Sequence, residues 1–170
     1  MNKFHEIKPT ELDRSPFKMI GDEWMLITAP DSKKESGASA MTASWGGLGV
    51  IWNAPVATVY IRPQRYTYSL AEDSGRLALC FFGKEYRREL GICGSKSGRD
   101  TDKLKECKFS CEVIDGVPVI CESETVMICK KLYADDLKEE KFIEKEHLSH
   151  YDGDFHRFYI LKIEKVLVKK

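Results

Sequence analysis

Short apolar runs separated by turn residues constrain the fold of this chain more than any other feature. The clearest case is Asp115-Gly116, which separates Phe109 to Ile114 from Val117 to Cys121. An Asp-Gly pair between such runs is a strong signal for a tight turn joining two antiparallel strands. Four further runs have the aliphatic and aromatic composition of strands: Met25 to Ala29, Pro55 to Ile61, Leu77 to Phe82 and Phe155 to Val168.

Helical signals are short and lie between these strands. Thr67 is suited to cap the first helix, which would end at Gly75, and Gly91 is suited to end the second. Because strands and helices do not alternate strictly, the pattern favours a β-barrel with appended helices over a parallel sheet. The 170 residues contain no repeat or linker, so we expect a single domain spanning residues 1–170. The four helical candidates are Leu70 to Glu72, Lys84 to Leu90, Thr101 to Cys107 and Glu139 to His147.

Charge and hydropathy exclude several classes of function. The 27 Lys and Arg residues balance the 27 Asp and Glu residues, so the basic excess of a nucleic-acid-binding protein is missing. No apolar run approaches the roughly 20 residues that span a bilayer. The N-terminal residues Met1 to Glu6 lack the apolar core of a secretion signal. We therefore expect a cytoplasmic protein with neither a nucleic-acid nor a membrane partner.

The cysteines and histidines do not form a metal-binding pattern. No CxxC pair occurs among the six cysteines, and reduced thiols are expected in the cytoplasm. The alternation of Cys107, Cys111, Cys121 and Cys129 with apolar residues fits inward-facing strand positions better than zinc ligation. The histidines also lack zinc-ligand spacing. We expect no metal site.

Familiar catalytic motifs are absent as well. The sequence contains no GxGxxG after a strand, no GxxxxGK[ST] loop, no HExxH and no GxSxG. This absence favours the interpretation that a bound cofactor supplies the reactive group.

One segment is unusual for a purely structural role. Met41 to Gly49, followed by Trp52-Asn53, combines small polar residues, three glycines and two tryptophans. Glycine lets a backbone approach or turn closely, so the segment suits a flat aromatic ligand. The alternative is a glycine-rich loop beside tryptophans of the core, because cores and pockets share their aromatic residues.

Two further segments are basic and lie next to predicted helices. Tyr60 to Thr67 carries Arg62 and Arg65 at the start of a helix, where side-chain and backbone donors can bind a phosphate. Gly94 to Asp100, followed by Asp102-Lys103, is a Gly/Ser loop able to close over an anion. Each segment alone also fits a solvated surface turn.

In these segments the sequence resembles the flavin-reductase-like family with the FMN-binding split barrel, which includes the flavoredoxins. The resemblance extends from about Ile27 to Val168, and four stretches occur in the family's order. They are MTASWGGLG at Met41 to Gly49, PVATVYIRPQRYT at Pro55 to Thr67, GSKSGRDTDK at Gly94 to Lys103, and DFHRFYI at Asp154 to Ile160.

The resemblance implies a mainly β fold, an FMN-binding split β-barrel of Greek-key type with short peripheral helices. It also implies a homodimer with one FMN per subunit near the interface. Many relatives carry an asparagine shortly before the Met-Thr pair, where this chain has Ser39 and its neighbours. The implied cofactor-binding residues are Met41, Thr42, Ala43, Ser44, Trp45 and Trp52 for the flavin ring, Arg62, Gln64, Arg65, Tyr66 and Thr67 for the phosphate and ribityl chain, and Ser97, Gly98, Asp100 and Lys103 for the closing loop.

The implied activity is an NAD(P)H-dependent flavin reductase, in which hydride passes from nicotinamide to FMN and on to free flavin, an electron-acceptor protein or another acceptor. Such chemistry needs no acid-base pair from the protein. His156 is the one catalytic candidate, as a polar group at the pocket rim that titrates near physiological pH. Its alternative is a structural residue. Two other functions stay open: a non-enzymatic FMN electron carrier, and a split barrel that binds haem or pyridoxamine phosphate.

Overall fold

Ten β-strands dominate the computed structural model, which describes residues 3–170. Eight of them form one antiparallel sheet, in which the order β3-β2-β6-β9-β10-β5-β4 is extended by β1 beside β10. β7 and β8 form a separate hairpin. The strands are β1 Phe4–Ile7, β2 Met25–Pro30, β3 Ala38–Ala43, β4 Gly46–Ile51, β5 Ala54–Ile61, β6 Arg76–Phe81, β7 Cys111–Ile114, β8 Val117–Ile120, β9 Thr125–Asp136 and β10 Arg157–Lys169.

The long strand β10 gives the sheet its split-barrel form. One edge of β10 pairs with β9, while the other pairs first with β5 through residues 157–162 and then with β1 through residues 166–169. Register shifts interrupt the β9 pairing between Ile160 and Leu161 and again between Ile163 and Lys165. Such irregularities bend a strand and increase its twist. The predicted fold class, a mainly β split barrel with short helices, is confirmed.

The strands β2 and β6 and the first half of β9, residues 125–129, bury both of their faces. One face packs inside the barrel, with Ile27, Leu79 and Met127 in its core. The opposite face, which includes Cys80 and Ile128, is covered by the helices and by the β7-β8 hairpin. Because neither face meets water, these strands are continuous apolar runs without alternation. This accounts for the predicted strand at Leu77 to Phe82.

The predicted hairpin at Asp115-Gly116 is confirmed. Both residues have a positive φ, 50° and 79°, which is the backbone form of a tight two-residue hairpin turn. The alternative of a glycine-rich loop at Met41 to Gly49 does not hold, because these residues form the end of β3, a short connection at Ser44-Trp45 and most of β4.

The helices are short and lie outside the sheet. No helix among residues 3–170 is long and apolar enough to cross a membrane. A π-helical turn at Lys18–Glu23 precedes β2, and 3-10 turns occur at Pro9–Glu11, Lys84–Tyr86, Glu139–Lys141 and Lys145–His150. The α-helices are α1 Tyr66–Asp73, α2 Arg87–Ser95 and α3 Lys103–Glu106.

The predicted start of the first helix and the predicted end of the second are wrong. Arg65 is the N-cap residue of α1, whereas Thr67 lies buried inside the first turn. The helix ends at Asp73 with Ser74 as its C-cap, so Gly75 follows its end as predicted. α2 continues past Gly91 to Ser95, because Leu90 and Cys93 are both buried on one face of the helix and stabilise the turn that contains the glycine.

The predicted helix at Glu139 to His147 is wrong as well. Two 3-10 turns occupy this region, and neither contains a buried residue. Without an apolar face to bury, a short segment does not gain enough packing energy to hold an α-helix.

Close contact between β4 and β5 predicts a selective effect of alanine at two glycines of β4. A Cβ at Gly46 would lie 2.7 Å from the carbonyl oxygen of Thr58, whereas a Cβ at Gly49 would meet nothing within 4 Å. We expect Gly46→Ala to lower the free energy of unfolding by about 1–3 kcal/mol, because the backbone must shift. Gly49→Ala should leave it unchanged or raise it by up to about 1 kcal/mol. Urea denaturation measures both, and equal losses would contradict the expectation.

Candidate functional site

Two adjoining cavities form one cleft beside the start of α1. Their volumes are about 330 and 160 Å³, and they share Met41, Arg62 and Arg65 in their walls. We call the larger cavity the basic end; Gln64, Tyr66, Thr67, Ser95, Lys96, Ser97, Gly98 and Lys103 complete its wall. We call the smaller cavity the aromatic end; Thr42, Ala43, Ser44, Trp45, Tyr60 and His156 complete its wall.

Among residues 3–170, two cations of the basic end have hydrogen bonds only to backbone carbonyl oxygens. The ammonium group of Lys103 is buried and donates to the carbonyl oxygen of Cys93 at 2.7 Å. Arg65 donates to the carbonyl oxygen of Gly94, also at 2.7 Å. Burial lowers the pKa of Lys103, and the charge of Arg65 lowers it further. A positive charge held out of water without a neutralising carboxylate favours the binding of an anion.

Other donors surround these two cations. The hydroxyl groups of Thr67 and Ser97 line the same cavity. α1 begins at Tyr66, so its first backbone N–H groups, which have no partner within the helix, lie beside the cavity. The guanidinium group of Arg99 lies 5.8 Å from the centre of the Tyr66 ring. Together these groups form a site suited to a phosphate.

The charge of Arg62 is already neutralised. Its guanidinium group forms an ion pair with Asp154 and donates to the carbonyl oxygen of His150 at 2.8 Å. The side-chain amide of Gln64 donates to the same carboxylate. Hydrogen bonds from the backbone of Asp152 and from Arg62 hold the pKa of Asp154 well below its usual range. Arg62 therefore lies at the junction of the two cavities as part of a closed cluster.

The aromatic end is walled by rings from three parts of the chain. The ring centre of Trp45 lies 5.1 Å from that of His156 and 5.6 Å from that of His150. Tyr60 lies 6.2 Å from His156, nearly perpendicular to it. The hydroxyl group of Tyr151 lies 3.0 Å from Nδ1 of His156 and fixes the orientation of the imidazole. This end suits a planar, mainly apolar ring.

His156 lies where the sequence predicted, but it does not titrate near physiological pH. Burial lowers its pKa to about 4, and the positive charges of Arg62 and Arg65 add to the effect, while Asp154 opposes it. The expectation of an imidazole that changes charge around neutrality is wrong. Burial removes the water that would solvate the imidazolium form, and the nearby guanidinium groups repel its charge.

Several predicted residues have other surroundings. Trp52 lies at the turn between β4 and β5 with φ 51° and 59% exposure, outside both cavities. Asp100 is exposed and donates its backbone N–H to the carbonyl oxygen of Ser97. The hydroxyl group of Thr42 donates to the carbonyl oxygen of Leu90, which joins β3 to α2. The ligand contacts of these residues stay predictions.

Ser39 packs behind the cleft, whereas Gly98 lies in its wall. The Ser39 hydroxyl group is buried 3.4 Å from that of Thr67. A Cβ at Gly98 would lie 2.5 Å from the ring of Tyr66, so only glycine brings this loop so close to α1 without a shift.

Sequence reasoning missed four residues of this site. They become recognisable only in the structure, although Asp154 opens the matching stretch DFHRFYI and Tyr60 opens the basic segment that ends at Thr67. The four are Tyr60, His150, Tyr151 and Asp154.

An antiparallel split barrel with a cleft that is basic at one end and aromatic at the other suits a flat, phosphorylated ligand. The sequence model of the family described as the flavin reductase like domain matches residues 19–170. The chain belongs to this family, and its membership supports flavin binding and a redox role. No curated protein matches the chain.

Solved structures of similar fold come from several bacteria. An FMN-binding domain of a flavin reductases-like enzyme from Shewanella baltica OS155 is 16% identical, with a TM-score of 0.69 over 99% of this chain and 78% of that one. Flavoredoxin of Desulfovibrio vulgaris (Miyazaki F) is 19% identical, with a TM-score of 0.68 over 96% and 78%. The styrene monooxygenase flavin reductase of Pseudomonas putida S12 is 12% identical, with a TM-score of 0.62 over 87% and 79%.

The low pKa of His156 predicts an imidazole that stays neutral from pH 6 to 8. Its ring-proton NMR signals should be constant over that range and should shift only as the pH falls toward about 4. Since the unfolded value is 6.5, protonation favours the unfolded chain. The stability that depends on neutral His156 is therefore complete above about pH 6.5 and declines as the pH falls toward 4. His156→Asn assigns the signal, and a midpoint above pH 6 would contradict the prediction.

Proposed function

We propose that the cleft binds FMN, with its phosphate in the basic end and its ring in the aromatic end. The observation that carries this proposal is the buried ammonium group of Lys103, whose hydrogen bond goes to a carbonyl oxygen. Arg65, Thr67 and Ser97 supply further donors to the same anion. The two cavities, of about 330 and 160 Å³, together fall within the range of roughly 300–1,000 Å³ typical of small-ligand sites.

The function we infer is that of an NAD(P)H-dependent flavin reductase. Bound FMN supplies the capacity to accept hydride from nicotinamide and to pass electrons on to free flavin or another acceptor. The chain itself binds and orients: Arg65 and Lys103 fix the phosphate, and backbone groups of Met41 to Ser44 border the ring. Trp45 and His156 shield one side of the ring from water, and the bond from Tyr151 keeps the imidazole in place.

Access to the aromatic end supports a reductase over a closed electron carrier. The Trp45 side chain is 43% exposed, so its ring lies at the mouth of the cleft and leaves room for a second planar group. A further apolar cavity of about 520 Å³ adjoins this mouth and shares Ser44, Trp45 and Tyr60 with the aromatic end. A nicotinamide ring has the size and planarity for this position.

We also propose a cytoplasmic homodimer. The edge strand β4 and the turn after it expose Val50, Ile51 and Trp52, and a contiguous apolar edge of this kind favours association. The six cysteines are free thiols, as expected in a reducing compartment.

The identity of the cofactor and its reduction test the proposed function directly. We expect the purified protein to be yellow and to release FMN, not FAD or haem, on heating, as measured by chromatography. NADH or NADPH added without oxygen should bleach the flavin absorbance, because hydride transfer reduces the ring. A protein that binds FMN but is bleached by neither nucleotide would be a carrier, and one that releases mainly FAD, haem or pyridoxamine phosphate would contradict the proposed cleft.

The pairing of charges predicts unequal roles for the basic residues. Arg65→Ala and Lys103→Met should each weaken FMN binding by roughly ten- to a hundredfold, since a charge-assisted hydrogen bond contributes about 1.5–3 kcal/mol. Arg62→Ala should weaken it less, because Asp154 already neutralises Arg62. Flavin titration of the apo-protein measures all three.

The matched control is Arg76→Ala, which removes an exposed arginine on β6 that pairs with Glu164 away from the cleft. Its affinity for FMN should equal that of the wild type. A greater loss in Arg62→Ala than in Arg65→Ala would place the phosphate at the other arginine.

A further inference from the structure

Two cysteine sulfurs lie close together behind the basic end. Cys93 is buried in α2, and Cys107 follows the last residue of α3. Their Sγ atoms are 3.9 Å apart, and a disulfide needs about 2.05 Å. A bond between them therefore requires the two sulfurs to approach by about 1.9 Å. The two thiols are direct neighbours, so a local movement of α2 or α3 acts on their separation.

The chain between the two cysteines forms one wall of the cleft. Ser97, Gly98 and Lys103 all lie between them in sequence and line the basic end. Lys103 also donates to the carbonyl oxygen of Cys93 itself. A covalent link between Cys93 and Cys107 would close a loop around the anion-binding groups and restrict its movement.

We propose that Cys93 and Cys107 are a redox modification site, at which hydrogen peroxide forms a reversible disulfide across the wall of the basic end. Cys107 is half-buried and Cys93 is fully buried, so the oxidant meets Cys107 first. The Cys107 thiol loses its proton, and its thiolate attacks one oxygen of hydrogen peroxide. The O–O bond breaks and the hydroxide that leaves takes up that proton, so a sulfenic acid and water result.

The Cys93 sulfur then attacks the sulfur of that sulfenic acid. The new S–S bond forms, the S–O bond breaks, and the second water leaves with the thiol proton. In total two thiols are oxidised to one disulfide while one hydrogen peroxide is reduced to two waters. Two equivalents of a small thiol reverse the modification through thiol-disulfide exchange.

The surroundings of the pair predict slow oxidation at neutral pH. Burial raises the pKa of the Cys93 thiol to about 12 and also raises that of Cys107. The hydrogen bond with Cys93 lowers the pKa of Cys107, the charges of Glu89 and Glu106 raise it, and the ammonium group of Lys103 lowers it. Because the thiolate is the reactive form, the oxidation rate should increase as the pH rises from 7 to 9.

The first test uses the full-length protein as purified and hydrogen peroxide as the probe. After treatment, the intact mass should fall by two hydrogens, and two of the six thiols should be lost to alkylation. Peptide mapping should locate the link between Cys93 and Cys107, and dithiothreitol should restore both thiols. Cys107→Ser, at the half-buried position, should abolish the link.

The matched control is Cys111→Ser, another half-buried cysteine, and it should form the disulfide like the wild type. A link that maps to other cysteines, that persists in Cys107→Ser, or that does not form at pH 9 would overturn the proposal.

The second test measures the effect on the cleft and rests on the proposed function. The disulfide restricts the wall that carries Ser97 and Lys103, so FMN should dissociate several-fold more slowly from oxidised than from reduced protein. Cys107→Ser should show no such difference after the same treatment. A mapped disulfide in a protein that does not bind FMN would refute the proposed function alone. Bound FMN with an unchanged dissociation rate would overturn the inferred effect on the cleft.

Discussion

The pairing of β10 with β5 is the constraint on which the rest of the site depends. Arg157, the first residue of β10, lies opposite Ile61, the last residue of β5. Antiparallel pairing therefore brings the residues just before Arg157 beside those just after Ile61. In this way Asp154 meets Arg62, and His156 reaches the aromatic end of the cleft. Because β10 bends at its register shifts, its second half leaves β5 and pairs with β1.

This arrangement divides the positive charge of the cleft into two kinds. Asp154 neutralises Arg62 and also accepts a hydrogen bond from Gln64. These two bonds restrict the movement of the segment Tyr60 to Thr67. The hydrogen bonds of Arg65 and Lys103 go to neutral carbonyl oxygens, so they do not neutralise the two positive charges. Burial, together with the positive charges of Arg62 and Arg65, lowers the pKa of His156 and keeps its imidazole neutral. One end of the cleft is thus prepared for an anion, and the other offers uncharged aromatic surface.

The outer face of the sheet supplies the second wall. The apolar outer face of β2, β6 and the first half of β9 is covered by α2 and α3, which pack on the side away from the barrel interior. That packing places the loop between the helices over the start of α1 and brings Cys93 beside Cys107. Binding residues and the thiol pair consequently share one short segment, so a change at the sulfurs acts directly on the cleft wall.

The sequence by itself determined the mainly β class, the Asp115-Gly116 hairpin and most of the segments that line the cleft. Turn chemistry and apolar runs are local properties, so they can be recognised without coordinates. Four ordered stretches also carried the family resemblance, which membership over residues 19–170 confirms. Local signals were less reliable at helix ends, where the burial of Thr67 and Cys93 outweighed capping preferences.

Only the tertiary structure decided which charges are free, which rings meet and how His156 titrates. Asp154 is 92 residues from Arg62 in sequence, and Lys103 is buried by elements that no local pattern places around it. Ion pairing, burial and pKa depend on distances between remote segments and on the loss of water between them. The sequence therefore identifies the groups of this cleft, but their charge states are set only when the folded strands bring them together.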